Sequence, residues 1–149
     1  MTEISFYTDV PDKLAYACRL LRKAVNAGAK VAVAGEPQAL AQLDVMLWTF
    51  SPTDFIPHCF DDANAGMLAA SAVWLASGAP AAASAHQGQI LLNLGAPVPE
   101  GFERFERLME LVGTNDEDRL AGRARWKHYA HRGYALIRHN LAKTAAVPT

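Results

Sequence analysis

The chain contains no apolar run approaching the ~18 residues that a membrane-spanning helix requires. It has two cysteines, Cys18 and Cys59, in neither a CxxC pair nor a disulfide framework, a usage that suits a reducing cytoplasm. The opening MTEISFYTDV lacks a basic n-region and meets acids at once, so it does not read as a signal peptide. Glycine-rich phosphate cradles are missing as well: neither GxGxxG nor GxxxxGK[ST] occurs. Metal-ligand spacing is equally poor. His128 and His131 are three apart on a predicted helix but have no third ligand at a fitting distance, and His58-Cys59 stands alone. Ser51, Ser71, Ser77 and Ser84 lie in no nucleophile-elbow pattern. Together these absences argue against a membrane protein, a disulfide scaffold, a nucleotide-binding enzyme, a metalloprotein and a serine hydrolase. No cofactor is expected.

What is there is a chain of 149 residues with 51% hydrophobic and 19% charged content. That length can bury roughly two thirds of its unfolded surface, enough for one unaided domain over 1–149 with a flexible tail from about 142. Glu3–Thr8 (EISFYT) reads as a strand with Ile4 and Phe6 on one face. Asp9, Pro11 and Asp12 then open a helix whose stripe is Leu14, Ala17, Cys18, Leu21 and Val25, stopped by Gly28. Cys18 on that stripe is a packed thiol. A short strand at 30–34 and a helix from Glu36-Pro37 follow, the latter with Leu40, Leu43, Leu47 and Trp48 as its apolar stripe. Strand, helix, strand, helix with short links signals an α/β domain with a mostly parallel sheet and helices on both faces. Further strands are expected near 72–76, 89–94 and 107–112, with a low-complexity loop at Ser77–Ala85 (SGAPAAASA). A closing helix follows, with Thr114 and Glu117 spaced as a capping box.

A net charge of −1 conceals a division. Residues 1–118 carry 15 acids and seven bases, a balance of −8, whereas 119–149 carry no acid and seven bases, +7. On the closing helix Arg119, Arg123 and Lys127 are four apart and Trp126 is three beyond Arg123, so a ladder of cations stands beside a large aromatic. Guanidinium forks suit carboxylates and phosphates, and indole offers an apolar wall or a stacking face. Two ligands fit: an acidic peptide ending in a hydrophobic residue, or single-stranded nucleic acid bound directly. Spacing alone leaves both open. A second feature is Leu43-Asp44-x-x-Leu47-Trp48 followed by Phe55-Ile56-Pro57-His58, which is either core or an aromatic patch for another chain.

These blocks carry a resemblance. Phe6-Tyr7, Gly28-x-Lys30-Val31, the two aromatic segments just named, and Arg123-x-Arg125-Trp126-Lys127-x-Tyr129-x-x-x-Gly133-Tyr134-x-Leu136 stand in an order and spacing similar to the chi subunit family of bacterial DNA polymerase III. The likeness runs over nearly the whole length, with residues 61–99 matching in layout alone. It implies a noncatalytic, cytoplasmic adaptor of the clamp loader with a Rossmann-like α/β fold. Members of the family bind the acidic, Phe-terminated C-terminal tail of single-stranded DNA-binding protein, the psi subunit and, in some cases, a repair helicase. Contact with single-stranded DNA would then be indirect. Carried over by position, the tail site is Val112, Arg119, Arg123, Trp126 and Lys127. The family commonly has Lys at the first cation and Tyr at the aromatic, so Arg119 and Trp126 keep the charge and the wall but alter the geometry. Trp48, Phe55, Pro57 and His58 fall on the psi-facing surface.

Overall fold

In the computed structural model, which describes residues 1–49, 55–76, 89–95 and 97–142, the strands form one all-parallel sheet. Strand β1 (Glu3–Val10) turns Ile4 and Phe6 into the core, as its alternation predicts. Helix α1 (Lys13–Asn26) starts at Asp12, whose carboxylate accepts from Ala15 N at 3.1 Å, and it buries Ala17, Cys18 and Leu21. Gly28, at φ 84°, supplies the left-handed turn that ends it. Strand β2 (Val31–Ala34) is buried throughout, as a central parallel strand should be. Helix α2 (Pro37–Thr49) sends Leu40, Leu43 and Leu47 inward.

Strand β3 (His58–Phe60), helix α3 (Ala65–Ala70), β4 (Val73–Ala76) and β5 (Ile90–Asn93) come next. A 3-10 turn at Phe102–Arg104 precedes β6 (Arg107–Gly113), then α4 (Asp116–His131) and β7 (Leu136–Asn140). The sheet order is β3-β4-β2-β5-β6-β1-β7. Residues of α1 and α2 pack with Val31, Val33, Leu75, Leu92 and Leu111 on one face. On the other, Tyr129 of α4 with Phe102 and Phe105 covers Ile4, Phe6, Leu91, Leu108 and Val112. Helices therefore lie on both faces, as expected of this α/β class.

Several expectations need correction. Trp48 is not part of the inner stripe of α2. One residue beyond Leu47 it is turned about 100° round the helix, and it is 56% exposed. Helix α4 does not close the fold, because β7 follows it and pairs with β1. Leu-Ile-Arg-His-Asn escapes pattern reading because an edge strand wet on both faces needs no apolar alternation. Three-residue β3 and six-residue α3 are too short for periodicity to reveal. The cap of α4 is Asn115 rather than Thr114. Asn115 is extended and its Oδ1 accepts from Asp118 N at 2.8 Å, while Asp118 Oδ2 accepts from Gly113 N at 2.5 Å. The whole of the loop at Ser77–Ala85 and, but for Ala142, the tail from 142 lie outside the described residues.

Candidate functional site

Three features seat α4 against the sheet. Gly122 faces Val112 so closely that a Cβ there would lie 2.8 Å from Val112 Cγ2, which lets the helix approach β6. One turn on, Arg125 Nε donates to Glu110 Oε1 at 2.9 Å, and Tyr129 OH donates to Glu110 Oε2 at 2.5 Å. Asn93 Nδ2 completes the set on the same carboxylate at 3.1 Å. Burial pushes the Glu110 carboxyl up, opposed by the Arg125 charge and the three hydrogen bonds. It pushes the Tyr129 phenol up as well, reinforced by the neighbouring carboxylate. At the helix start, Lys13 Nζ bridges Leu94 O at 2.7 Å and Asp118 Oδ2 at 2.9 Å, joining the first turns of α1 and α4.

Between α4 and the carboxyl ends of β1 and β7 a groove opens, with a volume of about 540 Å³. Phe6 and Val112 form its apolar floor. Trp126, half-buried and edge-on to Phe6 at 5.0 Å between ring centroids, stands as its wall. Arg119 and Arg123 come from α4 and Arg138 from β7, while Thr8, Asp9 and Gly122 complete the lining. Arg138 Nε donates to Thr8 Oγ1 at 3.1 Å. Arg119 Nη2 donates to Asp9 Oδ1 at 2.8 Å, and its Nη1 lies 4.0 Å from Oδ1 of exposed Asp116. Arg123 has no ion-pair partner among the described residues. Such a cleft can hold an anion on its guanidinium groups while an adjoining apolar group sits against indole and Phe6.

Of the five residues predicted for this site, Val112, Arg119, Arg123 and Trp126 are brought together. Lys127 is exposed on α4 and does not line the groove. The cationic balance of the last 31 residues overstates the charge on offer, because Arg125 is buried against Glu110. Arg138, Thr8, Asp9, Phe6 and Gly122 were not foreseen as lining. Arg138 belonged to the basic stretch, but its place required β7, which the pattern had hidden.

The second predicted surface also assembles. Trp48 and Phe55, 56% and 63% exposed, lie 5.5 Å apart between ring centroids. Pro57 is half-buried, and its carbonyl accepts from Ala72 N and Val73 N. His58 is buried beneath Trp48 at 4.8 Å, its Nδ1 donating to Ile56 O at 2.7 Å and its Nε2 meeting Asp44 Oδ1 at 3.0 Å. The aromatic pair is thus a surface patch that buried His58 supports from below, while Pro57 ties the segment to the start of β4. Val45 beside it is also exposed.

Among the described residues no group of three or more His, Cys, Asp or Glu could hold a metal ion, and no helix is long and apolar enough to cross a membrane. The model of the family described as "DNA polymerase III chi subunit, HolC" matches residues 1–137. The chain is 33% identical to the DNA polymerase III subunit chi of Pseudomonas aeruginosa over 149 aligned residues, covering 96% of this chain and 99% of the relative. To the subunit chi of Haemophilus influenzae it is 25% identical over 127 residues, covering 84% and 85% respectively.

Proposed function

The chain belongs to the DNA polymerase III chi subunit family, a replication accessory family, and from that premise we propose that it is a noncatalytic adaptor. The groove on α4 takes the acidic C-terminal tail of single-stranded DNA-binding protein, and the aromatic patch takes the psi subunit of the clamp loader. The pairing links polymerase and clamp loader to protein-coated single-stranded DNA. No cofactor takes part, a repair helicase is an alternative occupant of the psi-facing surface, and the adaptor works in the cytoplasm.

One observation carries the reading: three guanidinium groups, Arg119, Arg123 and Arg138, converge on a cleft with a Phe6, Val112 and Trp126 lining. A free carboxylate on an aromatic C-terminal residue presents that pairing of anion and ring. Val112 and Trp126 receive the ring, Arg123 the terminal carboxylate, and exposed Lys127 attracts the acids upstream. Trp48 and Phe55 supply the aromatic anchors that dominate binding energy at protein interfaces, with Pro57 and His58 fixing their seat.

Direct binding of single strands by the same helix is the competing reading. Asp9 and Asp116 beside Arg119 would meet either anion as like charges, so binding experiments separate the two readings. Co-elution of the purified chain with intact single-stranded DNA-binding protein, and with that protein lacking its tail, tests the proposal. Association with the intact form alone is expected. Equal retention of both forms, or a gel shift of bare oligonucleotide at low salt, would reject it.

A further inference from the structure

Asp9 is the sole non-glycine residue with positive φ among the described residues, at 57°. It sits where β1 takes one residue more than β6: Tyr7 pairs with Leu111 and Val10 with Gly113, so three steps on one strand match two on the other. Such a bulge re-aims a side chain, and a non-glycine residue in the left-handed region is held there against its own preference. Here the result is a carboxylate delivered to the groove wall. Asp9 Oδ1 accepts from Arg119 Nη2 at 2.8 Å, with 19% of the Asp9 side chain and 43% of the Arg119 side chain exposed. Among the three cations of the groove, Arg119 alone has an internal carboxylate in hydrogen-bond contact. Arg123 has no described ion-pair partner, and Arg138 is oriented by the neutral hydroxyl of Thr8.

We propose that Asp9 is a specificity-determining residue of the groove: it holds Arg119 and withholds it from incoming anions, so that ligand carboxylates are received at Arg123 and Arg138. This rests on the reading of the groove as an acidic-peptide site. A ligand carboxylate approaching Arg119 would meet Asp9 as a like charge in a partly desolvated cleft, where repulsion is stronger than in water. The bound peptide is therefore registered with its terminal carboxylate at the far end from Asp9. Arg119 contributes shape and a stalk for the ring to pass, more than net charge.

Fluorescence anisotropy with a labelled peptide of aspartates ending in a free Phe tests the assignment, using wild type, Asp9→Asn, Asp9→Gly, Arg119→Ala and the Asp9→Asn/Arg119→Ala double variant. Asn tolerates the left-handed region and Gly is at ease there, so both single Asp9 variants keep the bulge. Each is expected to bind about threefold tighter or more, with a steeper loss on adding salt because one more cation becomes available. Arg119→Ala should cost less than about threefold in the wild-type background and about tenfold in the Asp9→Asn background. The discriminating readout is the coupling between Asp9→Asn and Arg119→Ala, whose sign a merely structural role for Asp9 would reverse, since an unheld Arg119 would then contribute less. If wild type binds while both Asp9 variants bind equally well or more weakly, Asp9 is a strut and the inference is overturned by itself. If neither wild type nor the Asp9 variants bind, the acidic-peptide reading falls and takes this inference with it.

Discussion

Arg125 and Glu110, both buried, are joined by a 2.9 Å hydrogen bond between Nε and Oε1 that ties α4 to β6 from beneath the groove. The helix that carries the cations and the strand that carries the apolar floor are thereby held in one geometry. Arg125 Nη2 finds no acceptor among the described residues, so this pair has little spare solvation. Glu110→Ala should cost about 3–5 kcal/mol, because it strands a buried guanidinium. The Glu110→Leu/Arg125→Met double variant should be more stable than Glu110→Ala. Urea midpoints of the three chains measure it.

The approach of α4 to β6 gives a second expectation. Gly122→Ala would gain about 1 kcal/mol of helix propensity, yet its Cβ would press on Val112 at 2.8 Å, and a branched side chain has little room to yield. Net destabilisation of about 1–2 kcal/mol is expected. Affinity for an acidic peptide should fall with it, because Val112 is displaced from the groove floor. Thermal unfolding and a peptide titration of the same variant check both halves.

Cys18 sets an alkaline limit. It is buried on the inner stripe of α1, and burial pushes its thiol from 9 up to about 11. As pH rises through 9 the unfolded chain loses this proton first, while the folded chain keeps it until about 11. Stability therefore falls across that window, by up to about 3 kcal/mol from this one group, and gains nothing from it below pH 9. Cys18→Ala should flatten the decline between pH 9 and 10. Part should persist above 10, where the Tyr129 phenol, also raised, makes the same kind of contribution. Denaturant unfolding at a series of pH values measures the slope.

The Trp48 and Phe55 pair separates folding from association. Both rings are more than half exposed, so the Trp48→Ala/Phe55→Ala variant should lose no more than about 1 kcal/mol of stability. Capture of the psi subunit should be abolished, while binding of an acidic peptide at the distant groove is unchanged. A pull-down with psi alongside a peptide titration tests the division.

Much of this was legible because it rests on local rules. The alternation of Ile4 and Phe6, the stripe of Ala17, Cys18 and Leu21, and the four-residue ladder of Arg119 and Arg123 each follow from one element's own periodicity. What was hidden depends on partners distant in sequence. Arg125 counts as one more base of the cationic stretch until Glu110, fifteen residues earlier, is found beneath it. Asp9 looks like the start of a turn until a bulge points it at Arg119, 110 residues away. Arg138 enters the groove only through β7, an exposed edge strand whose sequence carries no apolar alternation.

The most direct test is an anisotropy titration of a labelled acidic peptide ending in a free Phe against the wild-type chain and Arg123→Ala, beside the same peptide lacking its terminal Phe. Micromolar affinity, about −8 kcal/mol, is expected for wild type with the intact peptide. Loss of about tenfold or more should follow either change, since each removes one half of a paired anion and ring recognition. Equal affinity of both peptides, or an Arg123→Ala chain that binds as wild type does, would contradict the account.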